Sequence, residues 1–73
     1  MLKQKDSISK KILNILNSSK EPFETKEIES FLKGISHVKI LYRLNLLRGD
    51  GLIRGKAVGS GKGSWIWWGI NFK

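Results

Sequence analysis

The chain has 73 residues, of which 40% are hydrophobic, and a formal net charge of +8 at pH 7. This length fits a single domain with a modest core, and the lack of cysteine excludes disulfides, cysteine-ligated zinc and a thiol nucleophile. His37 is the one histidine, and no nucleophile–base set or pair of acids on a defined element is visible, so we expect neither an enzyme nor a metal or cofactor site.

Residues 1–7 contain no apolar stretch suited to a signal peptide, and no run approaches the roughly 20 apolar residues of a membrane span. We therefore expect a cytoplasmic protein with no membrane partner, associated with the nucleoid in a prokaryotic or viral setting.

The positive charge is concentrated in the second part of the chain. Residues 1–29 hold six bases and five acids, whereas residues 30–73 hold eight bases and one acid, a net charge of +7. Because like charges repel within a fold, this one-sided excess predicts an anionic partner for the second part. Solubility is the other interpretation of the same excess.

A first helix is predicted over residues 7–18, because Ile8, Ile12 and Leu16 recur at helical spacing. Pro22 cannot continue this helix. The two residues after the proline, Phe23-Glu24, are predicted as a short strand.

Two further helices are predicted on either side of a tight turn. The second covers residues 26–33, with Thr25 as its N-cap and Gly34 closing it in the left-handed conformation. Ser36 caps the third, which runs over residues 37–48. The inner stripe of the third helix is predicted to be Ile40, Leu44 and Leu47.

The remaining residues change to the period of a β-strand and predict a hairpin over 52–72, with a glycine-rich tip at 59–63. In its last strand one face carries the longer apolar alternation, formed by Ile66, Trp68, Ile70 and Phe72. This pattern predicts that Trp68 is a core residue. It also predicts that Trp65 and Trp67, on the other face, are at least partly exposed.

Residues 40–53 read Ile40-Leu41-Tyr42-Arg43-Leu44-Asn45-Leu46-Leu47-Arg48-Gly49-Asp50-Gly51-Leu52-Ile53. This stretch resembles the end of a winged-helix recognition helix, where two leucines three apart are commonly followed by a short charged stretch and then Asp-Gly-Leu-Ile. The resemblance extends over about residues 7–72 to the winged helix-turn-helix DNA-binding superfamily, of the small transcriptional-regulator type. Two departures are Gly49, which predicts early fraying of the helix, and the tryptophan-rich last strand.

The resemblance implies an α+β fold of three helices with a C-terminal hairpin wing, and a single domain that binds double-stranded DNA in a sequence-specific manner. The third helix enters the major groove, and the basic wing holds the backbone or the minor groove. The expected DNA-binding residues are Ser36, His37, Lys39, Tyr42, Arg43, Arg54, Lys56 and Lys62.

These residues have different expected roles. Arg43 pairs with a guanine edge or holds a phosphate, and Ser36 and His37 donate to phosphate at the helix N-terminus. Lys62, at the tip of the wing, contacts phosphate or the minor groove. Arg54 and Lys56 extend the basic patch from one face of a strand, because they are two residues apart.

Other functions stay open. Tyr42 and Trp67 are similar to residues of winged helices that recognise an unusual duplex by its shape, although the proline-rich wing of those proteins is absent. A protein-interaction domain would use exposed Trp65 and Trp67 as its anchor. A homodimer would form through the first helix or through the tryptophans.

Overall fold

The computed structural model describes residues 6–58 and 64–70. Their elements are α1 (Ser7–Ser18), β1 (Phe23–Glu24), α2 (Thr25–Phe31), α3 (His37–Gly49), β2 (Ile53–Val58) and β3 (Ser64–Gly69). The predicted α+β fold is confirmed: the described residues form three helices and a three-stranded antiparallel sheet in a winged-helix-like layout. The predicted wing tip at 59–63 and the last two residues of the predicted hairpin lie outside the described residues.

None of the helices within residues 6–58 and 64–70 is long and apolar enough to cross a membrane.

The strand β3 lies in the middle of the sheet, which has the order β1-β3-β2. Trp67 is opposite Phe23 on one side and Gly55 on the other. In the same way Ile66 is opposite Glu24 and Lys56. Directly opposite residues share a face of the sheet. One face therefore carries Phe23, Trp67 and Gly55, and the other carries Glu24, Ile66 and Lys56.

Helix α2 begins one residue earlier than the sequence predicts. Its N-cap is Glu24, which forms a capping box with Glu27, and the Glu24 backbone N–H donates to Glu27 Oε1 at 2.8 Å. The prediction of Thr25 as the cap was therefore wrong. The helix ends at Phe31, and Gly34 adopts its positive φ of 89° within the turn that leads to α3.

Helix α3 is held at both ends by local hydrogen bonds. The Ser36 side chain caps it by accepting from the Lys39 backbone N–H at 3.2 Å, as predicted. At the other end Gly51 has a φ of 78°, and the Leu52 N–H donates to the Leu47 carbonyl at 2.9 Å. This is a Schellman motif, and it keeps Gly49 within the helix, so the predicted early fraying does not occur.

The core lies between the three helices and one face of the sheet in the described part of the chain. Its buried apolar residues come from every helix and from both long strands. They are Ile12, Leu16, Ile28, Leu32, Ile40, Leu44, Leu47, Ile53 and Trp67.

Trp67 is a core residue, and the prediction that it lies at the surface was wrong. Its side chain is 1% exposed, and its Nε1 donates to Thr25 Oγ1 at 2.9 Å. Trp65 stacks on it with 5.3 Å between ring centroids and is partly buried. Trp68, predicted to be core, lies on the opposite face of β3 and is only partly buried.

The neighbouring strand explains why β3 faces this way. Along β2, small or apolar residues alternate with Arg54 and Lys56, both of which are exposed. The two basic side chains are costly to bury unpaired, so the other face of β2 is turned to the helices. Gly55 on that face leaves the space that the Trp67 ring occupies.

Trp67→Ala is expected to lower the free energy of unfolding by about 3–5 kcal/mol, because it empties the largest site in the core. That is much of the stability that a small domain has. Trp68→Ala removes the same side chain from the opposite face and is expected to cost clearly less. Urea denaturation of both variants measures the difference, and an equal or larger loss for Trp68→Ala would contradict the assignment of faces.

Gly55→Ala is expected to destabilise the protein by about 1–3 kcal/mol through overpacking. A Cβ at this position would lie 2.6 Å from Trp67 Cε3 and 3.1 Å from the Ile66 carbonyl oxygen. Gly49→Ala is the matched control, because a Cβ there meets nothing within 4 Å. Alanine in that helical position is expected to be neutral or to stabilise by up to about 1 kcal/mol. Thermal unfolding that ranked the two variants in the reverse order would refute the close contact between Gly55 and Trp67.

Candidate nucleic-acid interface

Helix α3 presents three surfaces other than its buried stripe: an outward strip, a side towards α1 and a side towards β3. It contains three bases and no acid over residues 37–49. Its buried residues, Ile40, Leu44 and Leu47, fix which way the rest of the helix points. The helix is therefore a cationic element whose outer surface is set by its packing.

The outward strip of α3 consists of Val38, Tyr42 and Asn45, which are spaced one helical turn apart. Val38 is 73% exposed and Tyr42 is 58% exposed. The Asn45 side chain donates back to the Leu41 carbonyl at 2.9 Å. This strip is an apolar and weakly polar surface at the centre of a basic helix.

On the side towards α1, Arg43 forms an ion pair with Asp6. Its Nε and Nη2 both donate to Asp6 Oδ2, at 2.8 Å and 2.6 Å. Its guanidinium also lies 5.5 Å from the centre of the Tyr42 ring. Arg43 was expected to contact a base or a phosphate, but in this structure its donors are directed to a carboxylate and it braces α3 against α1.

Asp6 links this ion pair to the start of α1. Its Oδ1 accepts from the Ser9 backbone N–H at 2.8 Å and so caps the helix. Donation from Arg43, followed by that from Ser9, lowers the pKa of Asp6 from its ordinary value of 3.8 to about 2. The carboxylate is therefore charged at neutral pH and offsets one cation of α3.

On the side towards β3, the Arg48 guanidinium lies 4.9 Å from the centre of the Trp65 ring. His37, at the other end of the same side, contacts Glu29 of α2 through its Nδ1. Between them, α2, α3 and β3 border a cleft of about 390 Å³. Its lining residues are Glu24, Thr25, Lys26, His37, Leu41, Ser64 and Trp65.

The N-terminal end of α3 keeps the predicted residues together. Ser36, His37 and Lys39 are all exposed, and they flank the first turn of the helix. That turn contains no acidic residue. Because the backbone N–H groups of a first turn point outward, this end of the helix is suited to an anion.

The two basic residues of β2 lie on the face of the sheet that points away from the helices, as their spacing predicts. Arg54 is opposite Trp68 and Lys56 is opposite Ile66. Arg54 also reaches the edge of the sheet, where it borders a cleft of about 320 Å³ together with Arg48. Lys62, the remaining predicted residue, lies outside the described residues.

Sequence reasoning missed Arg48 and Val38. Arg48 is eleven residues after His37, a spacing that places both on one side of a helix, so the signal was present in the sequence. Val38 was not among the predicted residues, yet its side chain is 73% exposed, which makes it part of the outward strip.

Comparison of the chain with protein-family models, with curated proteins and with solved structures gives no match.

Asp6→Asn is expected to lower the free energy of unfolding at neutral pH by about 0.2–1 kcal/mol, the range for an exposed ion pair. The asparagine oxygen still caps α1, so the variant removes the charge and keeps the cap. Because folding lowers this pKa, the contribution of the carboxylate is complete above about pH 4 and is lost as the pH falls to about 2.

Thermal unfolding of the wild type and the variant across this pH range provides the measurement. Their stabilities are expected to converge as the pH falls below about 2. A difference that persisted there would show that the variant acts through the helix cap and not through Arg43.

Proposed function

We propose that this protein binds double-stranded DNA in a sequence-specific manner and acts as a transcriptional regulator, with α3 in the major groove. The observation that carries the proposal is the exposed surface of α3, in which an uncharged strip has the exposed bases Lys39 and Arg48 at its two sides and the helix has no acid. The resemblance of residues 40–53 to a winged-helix recognition helix supports the same orientation.

The dimensions and charge of α3 suit a major groove. The groove is roughly 12 Å wide and admits one α-helix, with phosphates along both of its edges. In α3 an uncharged strip is flanked by Lys39 on the side towards α1 and by Arg48 on the side towards β3. Cations at both sides of the helix would face the phosphates while the strip faces the bases.

The remaining predicted residues would hold the DNA backbone. Ser36 flanks the N-terminal end of α3, where hydrogen-bond donors meet phosphate, and His37 beside it would meet phosphate through Nε2 because its Nδ1 contacts Glu29. Arg54 shares a cleft with Arg48, and Lys56 continues the basic row along β2. Lys62 is assigned to the backbone or the minor groove from its position in the sequence.

Two alternatives lose support from the position of Trp67. Recognition of an unusual duplex was based on Tyr42 together with Trp67, and protein interaction was based on Trp65 together with Trp67. Trp67 is 1% exposed and hydrogen-bonded inside the core, so it is not available as a contact in either case.

Binding to duplex DNA is expected to weaken steeply with salt, because neutralised phosphates release counterions. About four to six phosphate contacts give a log–log slope of about −4 to −5. Lys39→Ala and Arg48→Ala are each expected to flatten that slope by about 1. Lys11→Ala is the matched control, because it removes the same charge as Lys39→Ala from a cleft between α1 and α2.

Fluorescence anisotropy with a labelled duplex measures these slopes. An isotherm that is unchanged between low and moderate salt would refute the nucleic-acid interface. Equal effects of Lys11→Ala and Lys39→Ala would show that net charge matters and that α3 does not. Selection of bound sequences from a random duplex pool then tests specificity, and a palindromic consensus would indicate a dimer.

A further inference from the structure

We propose that Val38 reads the C5-methyl group of a thymine in the major groove, so that the preferred DNA site contains a thymine opposite the first turn of α3. This inference rests on the proposed function and adds to it the chemical identity of one contacted base.

The exposure of Val38 is the observation that carries the inference. Among the described residues, the large hydrophobic side chains that are exposed are Phe31, Val38, Tyr42 and Ile70, at 55%, 73%, 58% and 47%. Val38 is the most exposed of these four, and Tyr42 follows it one turn later on the same strip. A β-branched residue is also not favoured by helix propensity at an exposed position. Neither packing nor propensity therefore explains valine at this position.

The chemistry of the groove supplies a ligand for such a side chain. The isopropyl group of valine has no hydrogen-bond donor or acceptor, so it cannot read the polar edge of a base. The C5-methyl of thymine is the apolar group that a base pair presents in the major groove. Contact between the two removes apolar surface of both partners from water.

The position of Val38 suits a contact with a base edge. It is the second residue of α3, in the turn whose side chains reach the bases when a recognition helix enters the groove. Tyr42 lies four residues later, a rise of about 6 Å, which matches roughly two base-pair steps. Arg43 lies 5.5 Å from the centre of the Tyr42 ring, and the helix presents Val38 and Tyr42 as two apolar positions one turn apart.

The flanking charges favour DNA over an apolar protein surface as the occupant. Lys39 is next to Val38 on the side towards α1, and the whole helix has no acid. A purely apolar partner would leave these cations without compensation at the edge of the interface. A duplex places the methyl group at the floor of a groove whose edges are anionic.

Replacement of thymine by uracil removes the methyl group and changes nothing else on the base. The test uses the duplex obtained by selection from the random pool, with each thymine replaced in turn by uracil. For the wild-type protein, one replacement opposite the first turn of α3 is expected to weaken binding about fourfold, the factor for one buried methyl-sized group.

Val38→Ala is expected to discriminate less between the thymine and uracil duplexes than the wild type does, because the two valine methyl groups that contact the thymine methyl are gone. Lys11→Ala, in the cleft between α1 and α2, is the control away from α3 and is expected to keep the wild-type preference for thymine. Val38 is 73% exposed, so its replacement by alanine is not expected to disturb the fold.

The outcomes separate this inference from the proposed function. If no duplex is retained from the pool, the proposed function fails and the inference fails with it. If a duplex is bound specifically but no uracil replacement weakens binding, or if the loss is as large in Val38→Ala as in the wild type, the inference alone is overturned. Equal affinity of the wild type and Val38→Ala for every duplex would also overturn it.

Discussion

The burial of Trp67 against Gly55 and Thr25 is the contact on which the rest of the structure depends. The indole fills the space that the missing Gly55 side chain leaves, and its N–H donates to the Thr25 hydroxyl. It thereby joins β3 to β2 and to the first residue of α2. Once this face of β3 is turned to the helices, Arg54 and Lys56 on β2 must point outward.

The same contact determines how α3 meets the hairpin. Trp65 stacks on Trp67 and is therefore held at the edge of the core, where Arg48 lies over its ring. Trp65 thus serves as a platform for the last turn of α3. This aromatic packing places Arg48 of α3 next to Arg54 of β2, although the two positive charges repel.

The sequence predicts the helices well because their signals are local. The cap at Ser36 and the stop within Gly49-Asp50-Gly51 each depend on residues within one or two turns. The faces of β3 were predicted wrongly because the alternation in one strand does not say which face is buried. Ile53 and Gly55 alternate with Arg54 along β2, and this pattern in the partner strand contained the answer.

The candidate interface was predictable to the extent that it lies on one helix. His37, Lys39 and Tyr42 follow from the helical period once the buried stripe is known. The ion pair of Arg43 joins it to a residue 37 positions away in the chain, and no local pattern indicates such a contact. A residue with the right chemistry and position was therefore given a binding role, whereas in this structure it forms an intramolecular ion pair.

The two arginine contacts on opposite sides of α3 bear on the entropy of binding. Arg43 ties the helix to α1 and Arg48 ties it to β3, so rotation of α3 about its own axis is resisted from both sides. A surface that is already held in one orientation loses little conformational freedom when a ligand docks on it. The outward strip of α3 is in this sense preorganised. Its contacts with a partner would contribute to affinity without a large offsetting loss of helix mobility.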